Sequence, residues 1–462
     1  MTPMSHRRHL IFASLHLVVL AALVPGCDSS ADLGKSPDAL IPDSGLAPDK
    51  TTTSKSDQSC TPRSCTTDGT KWCGSIADLC GKTIECGGCV SPESCGGGGV
   101  PSQCGLSLCD NMTKDPTEAD ADCGGPCKKC STGKACKAGS DCESSSCIES
   151  VCRVNSWSKL PNMPTPRGYL AAATGPDGRI YAIGGTSPQT GGLSKVEAYD
   201  PQKNAWTTVA SMPTSRYGLC AATGSDGLIY AIGGEYDASK APFTAGNSVV
   251  VEAYNPKNNT WTKMPSLTVG RYFCAAVTGS DGNIYVMGGF SVPPGKSLNT
   301  AESLKPGASS WQLVSGTMTT ARSAHGAAVG LDGTIYVAGG DDSHGNQTNA
   351  FEYYAPGSGS WYTSTNMPTA RRWLTASADS AGDVYFIGGQ DFSASGVPAT
   401  FLATVERYSP KSGKWVKAAN MPTGRYYLAA TLGLDARIYV VGGMIDQGPT
   451  ATAGSNLEVY TP

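Results

Sequence analysis

Between about residue 153 and residue 462 the chain repeats itself six times, and this repetition restricts the fold more than any other feature. A tryptophan recurs at Trp157, Trp206, Trp261, Trp311, Trp361 and Trp415. An arginine recurs at Arg167, Arg216, Arg271, Arg322, Arg371 and Arg425. A Gly-Gly pair starts at Gly184, Gly233, Gly288, Gly339, Gly388 and Gly442, and a glutamate recurs at Glu197, Glu252, Glu302, Glu352, Glu406 and Glu458. Arginine to Gly-Gly is 17 residues in all six units, and glutamate to tryptophan is 9 in the five units that have both. Tryptophan to arginine is 10, with 11 before Arg322. Only the stretch from the second glycine to the glutamate varies, from 12 to 18 residues. Constant steps mark strands and tight turns; the varying one marks a surface loop.

Each unit reads as four strands. The first is small and Ala-rich, as in Tyr169-Leu-Ala-Ala-Ala-Thr174, which suits a strand crowded against a central axis. A turn such as Pro176-Asp-Gly178 or Ser280-Asp-Gly282 follows, and Asp-Gly between apolar runs is a strong hairpin signal. The second strand is Ile180-Tyr-Ala-Ile-Gly-Gly185 and its relatives, the third holds the glutamate, and the fourth holds the tryptophan. Short strands at this spacing in units of about 50 residues indicate a radial, bladed arrangement. Trp157 precedes the first arginine with no strands of its own, and no tryptophan follows Glu458. The strand around Trp157 is therefore expected to complete the last unit, closing the ring and hiding its edges.

The motifs Ile-Tyr-x-x-Gly-Gly, Glu-x-Tyr-x-Pro and the tryptophan nine residues after the glutamate resemble the kelch repeat over about 310 residues. The resemblance implies an all-β fold: a six-bladed kelch-type β-propeller (153–462) closed by an N-terminal outer strand, preceded by small disulfide-rich modules. Three units depart from the pattern. Unit three has Leu304 where the others have tyrosine, unit five has Ala381-Gly-Asp383 in place of Asp-Gly, and unit six has Asp435-Ala436.

The resemblance also implies a binding face, formed by the loops before the first strand and after the second. The six arginines open the first strand and are expected near that mouth, either in a ring of inter-blade ion pairs with the glutamates or available to an anion. Aromatics follow them: Tyr169, Tyr217, Tyr272, Phe273, Trp373, Tyr426 and Tyr427, with only Ser323 and Ala324 in unit four. Arginines beside aromatics point to a protein or glycan ligand held by stacking and bidentate hydrogen bonds. Strand alternation would send half of these rings into blade cores. The long loops after Gly234, Gly389 and Gly443 carry Glu235, Tyr236, Asp237, Gln390, Asp391 and Asp446 and are expected to shape specificity.

An enzyme is the main alternative. A copper oxidase of the kelch type needs two histidines in its site, and beyond residue 26 only His325 and His344 remain, the first at a position where kelch repeats often carry histidine. No cofactor, metal or catalytic residue is expected. A sialic-acid mutarotase-like or other carbohydrate-active propeller would need an acid/base set in the channel. A structural role in the envelope is a third reading.

The rest of the chain points to export. Arg7 and Arg8 precede an apolar run, Leu10–Val24, of signal-peptide length, ending in Leu23-Val24-Pro25-Gly26-Cys27. This resembles a bacterial lipobox, with residues 1–26 a signal peptide and Cys27 the lipidated residue, although Pro25 is unusual there. The expected location is the cell envelope, anchored by lipid alone and facing periplasm or exterior. Residues 27–59, rich in Ser, Thr, Pro, Asp and Lys, read as a disordered tether. Sixteen of the 19 cysteines follow in two sets of eight. Module one (60–108) has Cys60, Cys65, Cys73, Cys80, Cys86, Cys89, Cys95 and Cys104. Module two (109–152) has Cys109, Cys123, Cys127, Cys130, Cys136, Cys142, Cys147 and Cys152. Both resemble cysteine-rich modules of exported myxobacterial proteins. Even parity and export favour disulfides over zinc at the Cys86/Cys89 and Cys127/Cys130 pairs, with connectivity left open. Cys220 and Cys274, in neighbouring first strands, either bridge two blades or stay as buried thiols. A formal net charge of −3, with charged residues at 16% and no basic run among aromatics after the N-terminus, excludes a nucleic-acid partner.

Overall fold

The structure is a computed structural model. It describes residues 151–462 apart from 188–190, 237–248, 293–294, 392–399 and 447–450, most of 114–150, and short strand segments between 66 and 106. All described residues lie in the unit Arg63–Pro462. The signal segment, Cys27 and the tether lie outside the described residues, as do Cys60, Cys65, Cys73, Cys80, Cys89 and Cys109. Among the described residues no helix is long and apolar enough to cross a membrane.

Six four-stranded antiparallel sheets form a β-propeller. Blade one comprises Ala171–Thr174, Ile180–Ile183, Val196–Asp200 and Ala205–Val209. The first strands of neighbouring blades line the axis, and their alanines let six backbones converge there. Every residue of the second strand is buried in all six blades. That strand has a strand on each side and a neighbouring blade on each face, so its sequence is continuously apolar rather than alternating.

The ring closes as the repeat pattern requires. Leu457–Thr461 is the third strand of blade six, and Ser156–Leu160 pairs with it as the fourth, with Tyr460 opposite Trp157. The same tyrosine–tryptophan pairing recurs within other blades, as Tyr199 with Trp206 and Tyr408 with Trp415. Indole N–H groups join neighbouring blades. Trp157 donates to the Ala419 carbonyl of blade five at 2.8 Å, and Trp206, Trp261, Trp311 and Trp415 make matching bonds to the blade before their own. A disulfide links Cys220 and Cys274, joining blades two and three.

In the second cysteine module Cys123 bonds Cys130, Cys136 bonds Cys147, and Cys142 bonds Cys152. Cys86 and Cys127 are also disulfide-bonded. The sulfurs of Cys136, Cys142 and Cys152 lie within 4.8 Å of one another, but each is already in a disulfide, so they cannot serve as thiolate ligands. Such bonds, at about 2–4 kcal/mol each, substitute for a core too small to hold a module of this size.

The irregular turn of blade five has a structural purpose. Asp383 pairs with Arg407 at 2.6 Å, both buried. Arg153, the residue after Cys152, reaches Asp379 at 3.6 Å and Asp383 at 3.4 Å. The turn that breaks the Asp-Gly pattern thus receives the segment leading out of the second cysteine module.

Candidate functional site

The constant residues of the repeat are the frame of the site. Each arginine forms an ion pair with the glutamate of its own blade, at 2.5–2.8 Å, and all six arginines are 0% exposed. In blades two to six the guanidinium also donates to the carbonyl of the first glycine of the Gly-Gly pair, as Arg216 does to Gly233 at 2.7 Å. That shared contact accounts for the constant 17-residue step. The glutamate is held in turn by a threonine two or three residues before the arginine, as Thr214 holds Glu252 and Thr268 holds Glu302. Desolvation by burial lowers the pKa of Arg167, Arg271, Arg322, Arg371 and Arg425, opposed by the paired glutamates.

Two expectations are corrected here. The pairs lie within blades, not between them. The arginines also do not present charge to an anion at the mouth, because their guanidinium groups are buried and ion-paired with the glutamates. Their backbones, not their side chains, make the inter-blade contact. The second glycine of each Gly-Gly pair donates to the arginine carbonyl of the next blade, from Gly185 to Arg216 around to Gly443 and Arg167, at 2.8–3.0 Å. The first glycine must be glycine on two counts. Its φ is positive, +59° at Gly184, and a Cβ there would meet the Arg216 carbonyl oxygen at 2.7 Å.

Two residues beyond each arginine the backbone turns left-handed: Tyr169, Gly218, Phe273, Ala324, Trp373 and Tyr427 all have φ between +53° and +62°. Each N–H of these six donates to the carbonyl of its counterpart in the preceding blade, at 2.7–3.0 Å, and the sixth bond, from Tyr169 to Tyr427, completes a circle. The turn carries the side chains over the axis instead of into blade cores. Tyr169 stacks on Tyr427 with centroids 3.4 Å apart, Trp373 stacks on Tyr427 at 4.5 Å, and Phe273 reaches Tyr427 from the opposite blade at 5.6 Å. These rings therefore plug one mouth of the channel. Their faces are used on one another, so Tyr169 and Trp373 serve as collar rather than as an open stacking platform. Burial raises the Tyr169 hydroxyl and pushes that of Tyr427 well above the usual tyrosine range.

Beneath the collar lies a layer of Leu170, Leu219, Cys274, His325, Leu374 and Leu428, bounding cavities of about 70 and 120 Å³. Both are below the roughly 300 Å³ at which ligand pockets begin. His325 is 5% exposed, and neither ring nitrogen has a hydrogen-bond partner among the described residues. Burial, with Arg322 and Arg271 nearby, holds its pKa well below the ordinary 6.5. Below pH 6.5 the unfolded chain takes up a proton that the folded one refuses, so stability falls as pH drops, by up to about 1.4 kcal/mol per pH unit. Leucine fills four of the six equivalent positions. His325→Leu is expected to remove this loss: the stability difference between variant and wild type in urea unfolding should widen steadily as pH falls from 6.5 to 5, and a constant difference would refute the assignment.

The variable side chains stand one step out from the collar. In each blade the residue after the arginine pairs, backbone to backbone, with the residue after Gly-Gly. The pairs are Gly168 with Thr186, Tyr217 with Glu235, Tyr272 with Phe290, Ser323 with Asp341, Arg372 with Gln390, and Tyr426 with Met444. Of the expected contact residues, Tyr217, Tyr272 and Tyr426 belong to this rim. Arg372, Asp341 and Phe290 were not anticipated. Arg372 donates to Asp341 at 3.2 Å and lies 4.0 Å over the Trp373 ring. Burial raises the Asp341 carboxyl, opposed by Arg372. Tyr217 hydrogen-bonds Glu235, whose carboxyl burial also raises. The side chains of Tyr236 and Asp446, and all of Asp237, lie outside the described residues. The opposite end of the propeller carries a groove of about 490 Å³ by Arg179, Lys203 and Leu434, but there Arg179 is paired with Asp177 and Lys203 with Asp200.

The kelch motif matches residues 167–213, 216–268, 271–318, 322–368 and 380–422, together a little over half of the chain. The chain belongs to the kelch-repeat family. The kelch blade that starts at Arg425 lies beyond these matches yet has the same frame. Kelch-like protein 35 of Mus musculus is 25% identical over 207 residues, 45% of this chain and 33% of its own length. Beta-scruin of Limulus polyphemus is 28% identical over 226 residues, 47% of this chain and 24% of its own length. The chain thus spans about a quarter to a third of these kelch relatives. Among solved structures, "Structure of YjhT" superposes with a TM-score of 0.54 at 20% identity, over 64% of this chain and 96% of that one, a likeness of fold.

Proposed function

We propose that this kelch protein is an exported, lipid-anchored recognition protein that binds a protein or glycan through the rim around its aromatic collar. Kelch propellers commonly mediate protein–protein binding. The observation that carries the reading is the division between frame and rim. Arginine, Gly-Gly and glutamate are the same in every blade and are spent on each other, while the rim pair differs in every blade. An acid/base set for sugar chemistry would have to come from groups other than the arginines and glutamates, which are buried and mutually paired. The anchor rests on Leu23-Val24-Pro25-Gly26-Cys27, the tether 27–59 and the disulfide modules, which together suit the cell envelope.

The test is binding of the mature chain to peptide and glycan arrays, beside an Arg372→Ala/Tyr426→Ala variant of matching melting temperature. At least tenfold weaker signal is expected from the variant. Equal signals, or no wild-type signal on either array, would overturn the reading of the rim and favour a structural role. Labelling with an alkyne fatty acid in cells should mark the wild type and not Cys27→Ala; equal labelling would refute the anchor.

A further inference from the structure

We infer that the rim between blades two and three captures a basic side chain of a protein partner, a lysine ammonium or an arginine guanidinium. This rests on the rim being the recognition face and names what one part of it recognises.

Glu235 is the rim carboxylate of blade two, held in register opposite Tyr217. The Tyr217 hydroxyl donates to it. Tyr272, the rim residue of blade three, is close enough for the Glu235 charge to push its hydroxyl, already raised by burial, up to about 12. The Tyr169 ring meets Tyr217 edge to face at 6.0 Å. One half-buried carboxylate thus stands among tyrosine rings. The influences on its carboxyl are burial and the Tyr217 hydrogen bond, and among the described residues no cation joins them. A carboxylate in this setting, flanked by π-faces, favours an organic cation over a neutral or anionic group, through an ionic hydrogen bond and cation–π attraction together.

The same propeller contains a filled version of this arrangement. Asp341 is the rim carboxylate of blade four, in the position equivalent to Glu235. Arg372 of the next blade reaches it at 3.2 Å with its guanidinium 4.0 Å over Trp373. There the chain supplies carboxylate, cation and aromatic itself. At blade two it supplies the carboxylate and the aromatics, and the next blade presents Tyr272 where Arg372 would be. Among the described residues no cation takes that place. A side chain from a larger partner fits best, since the adjoining rim residue Phe290 offers further contact area for the rest of that partner.

The test uses the mature full chain and a Gly/Ser peptide library carrying one lysine or arginine, with glutamine versions as controls. Basic peptides are expected to bind at least tenfold more tightly than their glutamine counterparts. Glu235→Gln should erase that preference, and Glu235→Lys should reverse it toward peptides carrying glutamate. Equal binding of basic and neutral peptides, or a preference that survives Glu235→Gln, would overturn the inference. The two ideas fail differently. Array ligands lost in Arg372→Ala/Tyr426→Ala but indifferent to Glu235→Gln leave the rim standing and sink the cation site. Ligands indifferent to both sets sink both. Neutral glycans as the only rim-dependent ligands also overturn the cation site.

Discussion

A chain starting at Asn162, and so lacking the strand Ser156–Leu160, is expected to lose the closed propeller. Its removal takes away the five-residue ladder from Leu160–Leu457 to Ser156–Thr461. It also removes the Trp157 ring from Tyr460, 5.1 Å away, and the indole bond to Ala419. Leu457, Val459 and Tyr460, at present 1% exposed, would lie on an open edge. Replacing the tryptophan alone, as Trp157→Ala, should cost about 3–5 kcal/mol. Losing the whole strand should cost as much as the entire net stability of a typical domain, roughly 5–15 kcal/mol. The exposed edge would then pair with other chains. Size-exclusion chromatography and far-UV circular dichroism decide the point against a control chain starting at Arg153, which keeps the strand. A truncated chain that elutes as a monomer with the control's urea midpoint would contradict the closure.

Glu302→Ala is expected to destabilise the propeller by about 3–5 kcal/mol, the range for stranding a buried charge. Glu302 accepts from Arg271 at 2.8 Å, from the Thr268 hydroxyl at 2.6 Å and from the Thr268 and Val269 N–H groups. Buried ion pairs elsewhere are often replaced by apolar residues without loss. Here that rescue should fail. Arg271 also donates to the carbonyls of Gly288, at 2.7 Å, and Thr300, at 3.0 Å; an apolar pair would take that donor from both, leaving Thr300 only its bond from the Gly288 N–H. The double variant Arg271→Met/Glu302→Leu should therefore unfold at no higher urea concentration than Glu302→Ala. Recovery to within 1 kcal/mol of wild type, on the order of a single hydrogen bond, would show that the pair's charge and not its wider network is what counts.

Much of the architecture could be read from residue spacing, because a propeller is the same local problem solved six times. Where the arginines point could not. A 17-residue step from arginine to glycine is the same whether the guanidinium turns in to the glycine carbonyl or out to a ligand. One signal for the inward direction does stand in the sequence: four residues before each arginine is Met163, Met212, Leu267, Met318, Met367 or Met421, all at most 5% exposed. An apolar residue at that fixed step, followed by a threonine that bonds the glutamate, marks a lined and capped interior site. The aromatics escape the alternation rule for a related reason. Alternation along a strand assumes extended backbone, and at Tyr169, Phe273, Trp373 and Tyr427 the positive φ breaks it, so consecutive rings such as Tyr426 and Tyr427 share one end of the propeller. The rim was legible only as loops, because its pairing with residues after the arginines depends on the inner hairpin continuing past Gly-Gly.

The circle of six hydrogen bonds from Tyr169 around to Tyr427 behaves like an iris welded at one setting. Widening it at any point would break a bond that neighbouring blades cannot remake, and the stacked rings fill the aperture that remains. On the recognition reading proposed above, a change of partner is written in the two side chains each blade adds at the perimeter, while the hub stays as it is.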